Sequence, residues 1–103
     1  MKNHTKIYFL AFGYEKGDFI PSELSGQTAV DINHIECRGM GGDPNGNLDR
    51  IENLMAVTRE EHIHYGDKKK YLKHIYMSHY SFLVANGVKF DSKYLEDKIN
   101  ACV

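Results

Sequence analysis

Three side chains in this sequence have types and spacing that could do hydrolytic chemistry: His34, Asn53 and His62. Asn53 follows His34 by 19 positions, and His62 follows Asn53 by 9. A neutral imidazole takes a proton from water, and a second imidazole can hold a metal ion. A strand ending at His34, a hairpin return and a helix carrying His62 would bring both rings to one cleft. The side chain at position 33 would reach the same cleft where the chain turns. Two or three metal-capable groups beside one free base approach the minimum for metal-assisted hydrolysis.

The elements that must position these groups can be read from periodicity. Residues 28–35 alternate, with Val30, Ile32 and His34 on one face and Asp31, Asn33 and Ile35 on the other, which predicts a strand. Residues 38–49 contain Gly39, Gly41, Gly42, Pro44 and Gly46 and form a long loop, a feature that is usually functional or mobile. Residues 53–57 predict a second strand. Thr58 and Glu61 then spell a capping box for a short helix over 59–65 that stops at Gly66. Asp67 is placed to cap a longer helix through Asn86, with Gly87 as its stop, and Asp91 or Ser92 begins a last helix. Residues 5–12 alternate poorly but are rich in β-formers, so an N-terminal strand is expected there, broken at Gly13. Pro21 to Gly26 reads as a turn or knuckle. The order predicts an α+β domain built on a small antiparallel hairpin.

The bulk numbers bound the function. The chain has 103 residues, 42% hydrophobic and 26% charged, which suits one soluble globular domain. A domain of this size buries about 60–65% of its unfolded surface, so a bound metal or partner subunit would matter to its stability. No apolar run reaches the ~20 residues that span a bilayer. The apolar run from Ile7 to Phe12 is short and aromatic with no small-residue cleavage site, so a cytoplasmic chain with no membrane partner is expected. Two distant cysteines, Cys37 and Cys102, make neither a disulfide framework nor a multi-cysteine zinc site. The net charge of −1 argues against a broad basic footprint, although Lys68, Lys69, Lys70 and Lys73 cluster.

The stretches Asp31-Ile32-Asn33-His34-Ile35, Arg38-Gly39-Met40-Gly41-Gly42, Asp49, Glu52-Asn53-Leu54-Met55-Ala56 and Arg59-Glu60-Glu61-His62 resemble the HNH endonuclease motif. The likeness is to small phage-type members reading Asp-Ile-His-His-Ile, Arg-Gly-Met-Gly-Gly, Glu-Asn-Leu and Cys-Arg-x-Cys-His. It implies a ββα-metal (His-Me finger) core over residues 28–67, with an N-terminal strand before it and a helical extension over 67–103. It also implies a DNA-cleaving nuclease in which His34 is the general base, Asn53 braces the loop and His62 is a metal ligand. Asn33 occupies the place of the family's second ligand, usually Asp or His. Its neutral carbonyl is a weaker donor for a hard ion, and Asp31 or His64 is a substitute candidate. The cofactor implied is a divalent ion, Mg²⁺ first, with Mn²⁺, Ni²⁺ or Zn²⁺ as alternatives. Arg38, Arg59, Lys68, Lys69 and Lys70 are the candidates for contacting the DNA backbone.

The chain departs from many relatives at a structural zinc knuckle. Where two Cys-x-x-Cys pairs would stand, it reads Ser22-Glu23-Leu24-Ser25 and Thr58-Arg59-Glu60-Glu61. These side chains cannot form a tetrahedral thiolate site, so no structural zinc is expected, and hydrogen bonds must hold that corner.

Simpler roles stand beside these. His34 can be a strand histidine satisfied by a carbonyl, His62 a helix-surface residue, Asn33 a turn closer, and Lys68 to Lys70 a solvated first turn. His74 and His79 read as packing or surface residues on the long helix. Tyr71, Tyr76 and Tyr80 suggest helix–sheet packing or a homodimer contact. Two further functions compete: a non-catalytic nucleic-acid-binding scaffold, and a domain holding a purely structural metal at His62 and His64.

Overall fold

The computed structural model describes residues 1–36, 47–66 and 68–102. The chain forms an α+β domain. Its described elements are α1 (Asn3–Phe12), β1 (Asp31–His34), a 3-10 turn (Ile51–Asn53), β2 (Leu54–Val57), α2 (Arg59–Tyr65), α3 (Lys69–Ala85) and α4 (Ser92–Ala101). The loop carrying Cys37, Arg38 and the glycines from Gly39 to Gly46 lies outside the described residues, as does Asp67.

The N-terminal segment is a helix, correcting the expected strand over 5–12. Every position from Ile7 to Phe12 is apolar or aromatic, so neither a period of 2 nor one of 3.6 stands out there. Packing decides the conformation. Tyr8 is fully buried, and its ring lies 4.5 Å from that of Phe12 one turn on, a contact that helical i,i+4 spacing supplies. Gly13 ends the helix in the left-handed region (φ 75°), and the Tyr14 N–H bonds back to the Phe9 carbonyl, as in a Schellman motif.

β1 and β2 pair antiparallel, with Asp31 opposite Val57, Ile32 opposite Ala56, Asn33 opposite Met55 and His34 opposite Leu54. β2 is buried along its whole length, whereas β1 lies nearer the surface. α2 begins at the predicted capping box: Thr58 accepts from the Glu61 N–H, and Glu61 accepts from the Thr58 N–H. α3 starts at Lys69 with Lys68 in the cap position and no side-chain cap, and Gly87 follows its end with φ 66°. Asp91 caps α4 through the Tyr94 N–H.

The knuckle closes through a bridge between Pro21 and Thr28, and its Glu23 N–H bonds the Ala56 carbonyl of β2. Hydrogen bonds occupy the corner where the sequence lacks cysteines. The Ser22 hydroxyl donates to Glu61 Oε1 at 2.5 Å, and Ser22 Oγ accepts from the Leu24 and Ser25 N–H groups. Burial acts to raise the Glu61 pKa, but donors from Ser22, Ser25 and Thr58 outweigh it and hold the carboxyl below its usual range.

A second polar group ties four segments together. Tyr8 donates to Glu23 Oε2 at 2.6 Å, Glu23 Oε1 lies 2.6 Å from His79 Nδ1, and His79 Nε2 donates to the Ile51 carbonyl at 2.7 Å. The His79 and Glu23 side chains are completely buried, so His79 is an interior hydrogen-bonding residue linking α3 to the knuckle. His74 is exposed. Tyr76 is buried, Tyr80 packs edge-on against Phe90, and Tyr71 packs edge-on against Tyr65. Among the described residues no helix is long and apolar enough to cross a membrane.

Candidate functional site

Asn53 is fully buried where the 3-10 turn meets β2. Its Oδ1 accepts from the Glu36 N–H at 2.7 Å, and its Nδ2 donates to the carbonyls of Glu36 and Leu48 at 3.2 and 3.0 Å. One amide thereby fixes both ends of the segment between β1 and the 3-10 turn. The Ile35 N–H bonds the Asn53 carbonyl, which sets the position of His34 one residue before.

His34 ends β1 and turns toward α1. Its Nε2 lies 2.6 Å from Asp49 Oδ1, with the side chains only 11% and 13% exposed. Asn3 Nδ2 donates to the other Asp49 oxygen at 3.1 Å. The hydrogen bond from His34, helped by that from Asn3, holds the Asp49 carboxyl below its usual range against the effect of burial. An ionised carboxylate only accepts, so the proton in this contact sits on His34 Nε2. In the neutral ring Nδ1 then carries the basic lone pair. The His4 ring, from the first turn of α1, lies 4.5 Å from the His34 ring at a tilt of 54°.

β1 borders a cleft of about 480 Å³ lined by His4 on α1, Asp31, Asn33 and His34 on the strand, and His62 on α2. Asn33 and His62 also line a second, larger cleft of about 560 Å³, between the sheet and α2, α3 and α4. The pair therefore stands where two clefts meet. The larger one is walled by apolar side chains such as Met55, Leu72 and Ile75, with Lys68 and Lys69 among its lining. His62 is exposed and one turn into α2. The last turn of α2 depends on Gly66, whose N–H bonds the His62 carbonyl at 2.9 Å. A Cβ on Gly66 would collide with that same oxygen.

The structure thus brings His34, Asn33, Asp31 and His62 to one cleft and places Asn53 behind it. It does not bring His64 there: that ring packs against Tyr65 at the end of α2 and Tyr71 in the first turn of α3. Arg59, Lys68, Lys69 and Lys70 are exposed, and Lys70 lies 5.0 Å from the Tyr71 ring. Arg38 is outside the described residues. Two site residues carried no assigned role in the sequence reading, His4 and Asp49. The signal for His4 was the i,i+4 run of rings His4, Tyr8 and Phe12, legible only once the segment is a helix.

Asn33 offers a neutral oxygen and His62 one imidazole, with Asp31 on the same strand face as Asn33. Both side chains are among those of the cleft that could hold a divalent ion, Asn33 through its amide oxygen and His62 through a ring nitrogen. Comparison of the chain with protein-family models, with curated proteins and with solved structures gives no match.

Proposed function

We propose that this chain is a metal-dependent endonuclease of the HNH, or ββα-metal, kind that hydrolyses DNA phosphodiester bonds. The observation that carries this reading is the shared cleft of His34, Asn33 and His62, with His34 held in one tautomer by Asp49. Asp49 keeps the proton on Nε2, so Nδ1 can accept one from an attacking water. Asn53 positions this base by pinning the backbone on either side of the loop. A divalent ion held by His62 and Asn33 would offset the charge that gathers on the scissile phosphate. Lys68 and Lys69 at the larger cleft, with the exposed Arg59 and Lys70, can hold the DNA backbone without reading its sequence.

A second reading has one observation in its favour. Asn33 supplies no charge to the metal position, which suits a domain that keeps the fold and binds nucleic acid without cutting it. Supercoiled plasmid incubated with Mg²⁺, Mn²⁺, Ni²⁺ or Zn²⁺ separates the two. Nicking by the wild type that is lost in His34→Ala supports the nuclease. DNA binding with no cleavage in any metal supports the scaffold.

A further inference from the structure

His4, His34 and Asp49 form a group in which one ligand atom from each side chain lies within 4.8 Å of the others. It is the only such trio of His, Cys, Asp or Glu found among the described residues. All three side chains are at least partly buried, and both imidazoles line the cleft that also holds His62. An ion entering that cleft therefore meets two donor sets of different chemistry. Asn33 and His62 give one oxygen and one nitrogen. The trio gives two nitrogens and a carboxylate, which suits Zn²⁺ or a similar borderline ion far better than Mg²⁺.

The His34–Asp49 pair needs little rearrangement to hold such an ion, and the His4 ligand atom lies within 4.8 Å of both. Ligands about 2.0–2.1 Å from a tetrahedral zinc stand about 3.3 Å from one another. His34 Nε2 and Asp49 Oδ1 are 2.6 Å apart, joined by a proton. Replacing that proton by the ion asks the carboxylate to move by less than about 1 Å. Asn3, which donates to Asp49 Oδ2, can keep hold of the other oxygen as it does so.

We propose that His4, His34 and Asp49 form an inhibitory zinc site, distinct from the His62 position. Zinc on Nε2 of His34 takes the place of the proton shared with Asp49. The neutral ring keeps one proton, now on Nδ1, and so loses the lone pair that would accept a proton from water. The metal thereby switches the tautomer of the base. Binding at the trio stands on geometry alone, whereas its effect on cleavage rests on the nuclease reading.

The test uses the whole protein and zinc itself, followed by ring nitrogen and proton NMR of the histidines. The expected result at one equivalent is a shift of the His4 ring and a change of His34 from the Nε2–H to the Nδ1–H pattern, before His62 responds. Losing an outer-sphere partner already weakens metal sites about 10–100-fold, so His4→Gln should raise the zinc needed for half-saturation by about 100-fold. Cleavage by the same variant with Mg²⁺, scored against its own zinc-free rate, should resist zinc at concentrations that stop the wild type. A response of His62 with His4 and His34 unmoved would overturn the proposal, as would zinc affinity unchanged in His4→Gln. If the histidines respond as described but no metal supports cleavage, the zinc site stands and the nuclease reading falls.

Discussion

His34 Nε2 and Asp49 Oδ1 stand 2.6 Å apart at the end of an edge strand, and that pairing fixes which nitrogen of the ring is basic. In the proposed nuclease, an aspartate 15 positions on in the sequence would play the orienting part that a carboxylate plays toward histidine in hydrolytic dyads. Asp49→Asn should lower the cleavage rate at saturating metal about 10–100-fold with little change in DNA affinity. A loss confined to DNA binding would remove Asp49 from the positioning of the base.

Acid should weaken the fold through a small set of carboxylates. Asp49, Glu52 and Glu61 all have folded pKa values below their ordinary values of 3.8, 4.5 and 4.5. For Glu52, burial alone would raise the value, and the Asp91 N–H and Arg50 outweigh it. The unfolded chain therefore binds more protons in this range, and stability rises with pH. Their contribution is complete above the unfolded values and is lost as pH falls through the lower folded ones. Urea midpoints taken from pH 6 to pH 3 should fall, and Glu61→Gln should make that fall shallower.

The corner built from Ser22, Thr58 and Glu61 should be a point of high sensitivity. Glu61→Ala removes half of the capping box and the acceptor of the buried Ser22 hydroxyl, costing about 1–3 kcal/mol. In a domain of this size that lowers Tm by several degrees or more per kcal/mol. Thermal unfolding of Glu61→Ala beside Glu60→Ala, an exposed neighbour, checks this directly.

Removing the His79 ring should cost more. His79→Ala leaves the Glu23 carboxyl and the Ile51 carbonyl without their partner in the interior, a loss of about 3–5 kcal/mol. Glu23→Gln keeps the shape and a hydrogen bond, and should cost less. Equal stability of His79→Ala and wild type by denaturant unfolding would show that the network contributes nothing.

What the sequence made legible was local. Thr58 and Glu61 announced their capping box, Gly66 and Gly87 their helix ends, and the alternation through Asn33 and His34 its strand, because each signal lies within a few residues. The segment from Ile7 to Phe12 was misread because an uninterrupted apolar run has no phase, and only packing of Tyr8 against Phe12 and the core selects the helix. The partners of His34 and His79 were hidden for a related reason. Asp49 and Glu23 are carboxylates of ordinary local context, brought to their histidines by tertiary structure across 15 and 56 positions.

The distinct roles given to the two histidines are tested most directly by measuring plasmid nicking rate against Mg²⁺ or Mn²⁺ concentration for wild type, His34→Ala and His62→Ala. The account predicts that His34→Ala loses rate at saturating metal, about 10²–10⁴-fold, with its half-saturating metal concentration unchanged. It predicts that His62→Ala needs far more metal to reach half its maximal rate. Nicking by His34→Ala at the wild-type rate, with the same metal dependence, would contradict it.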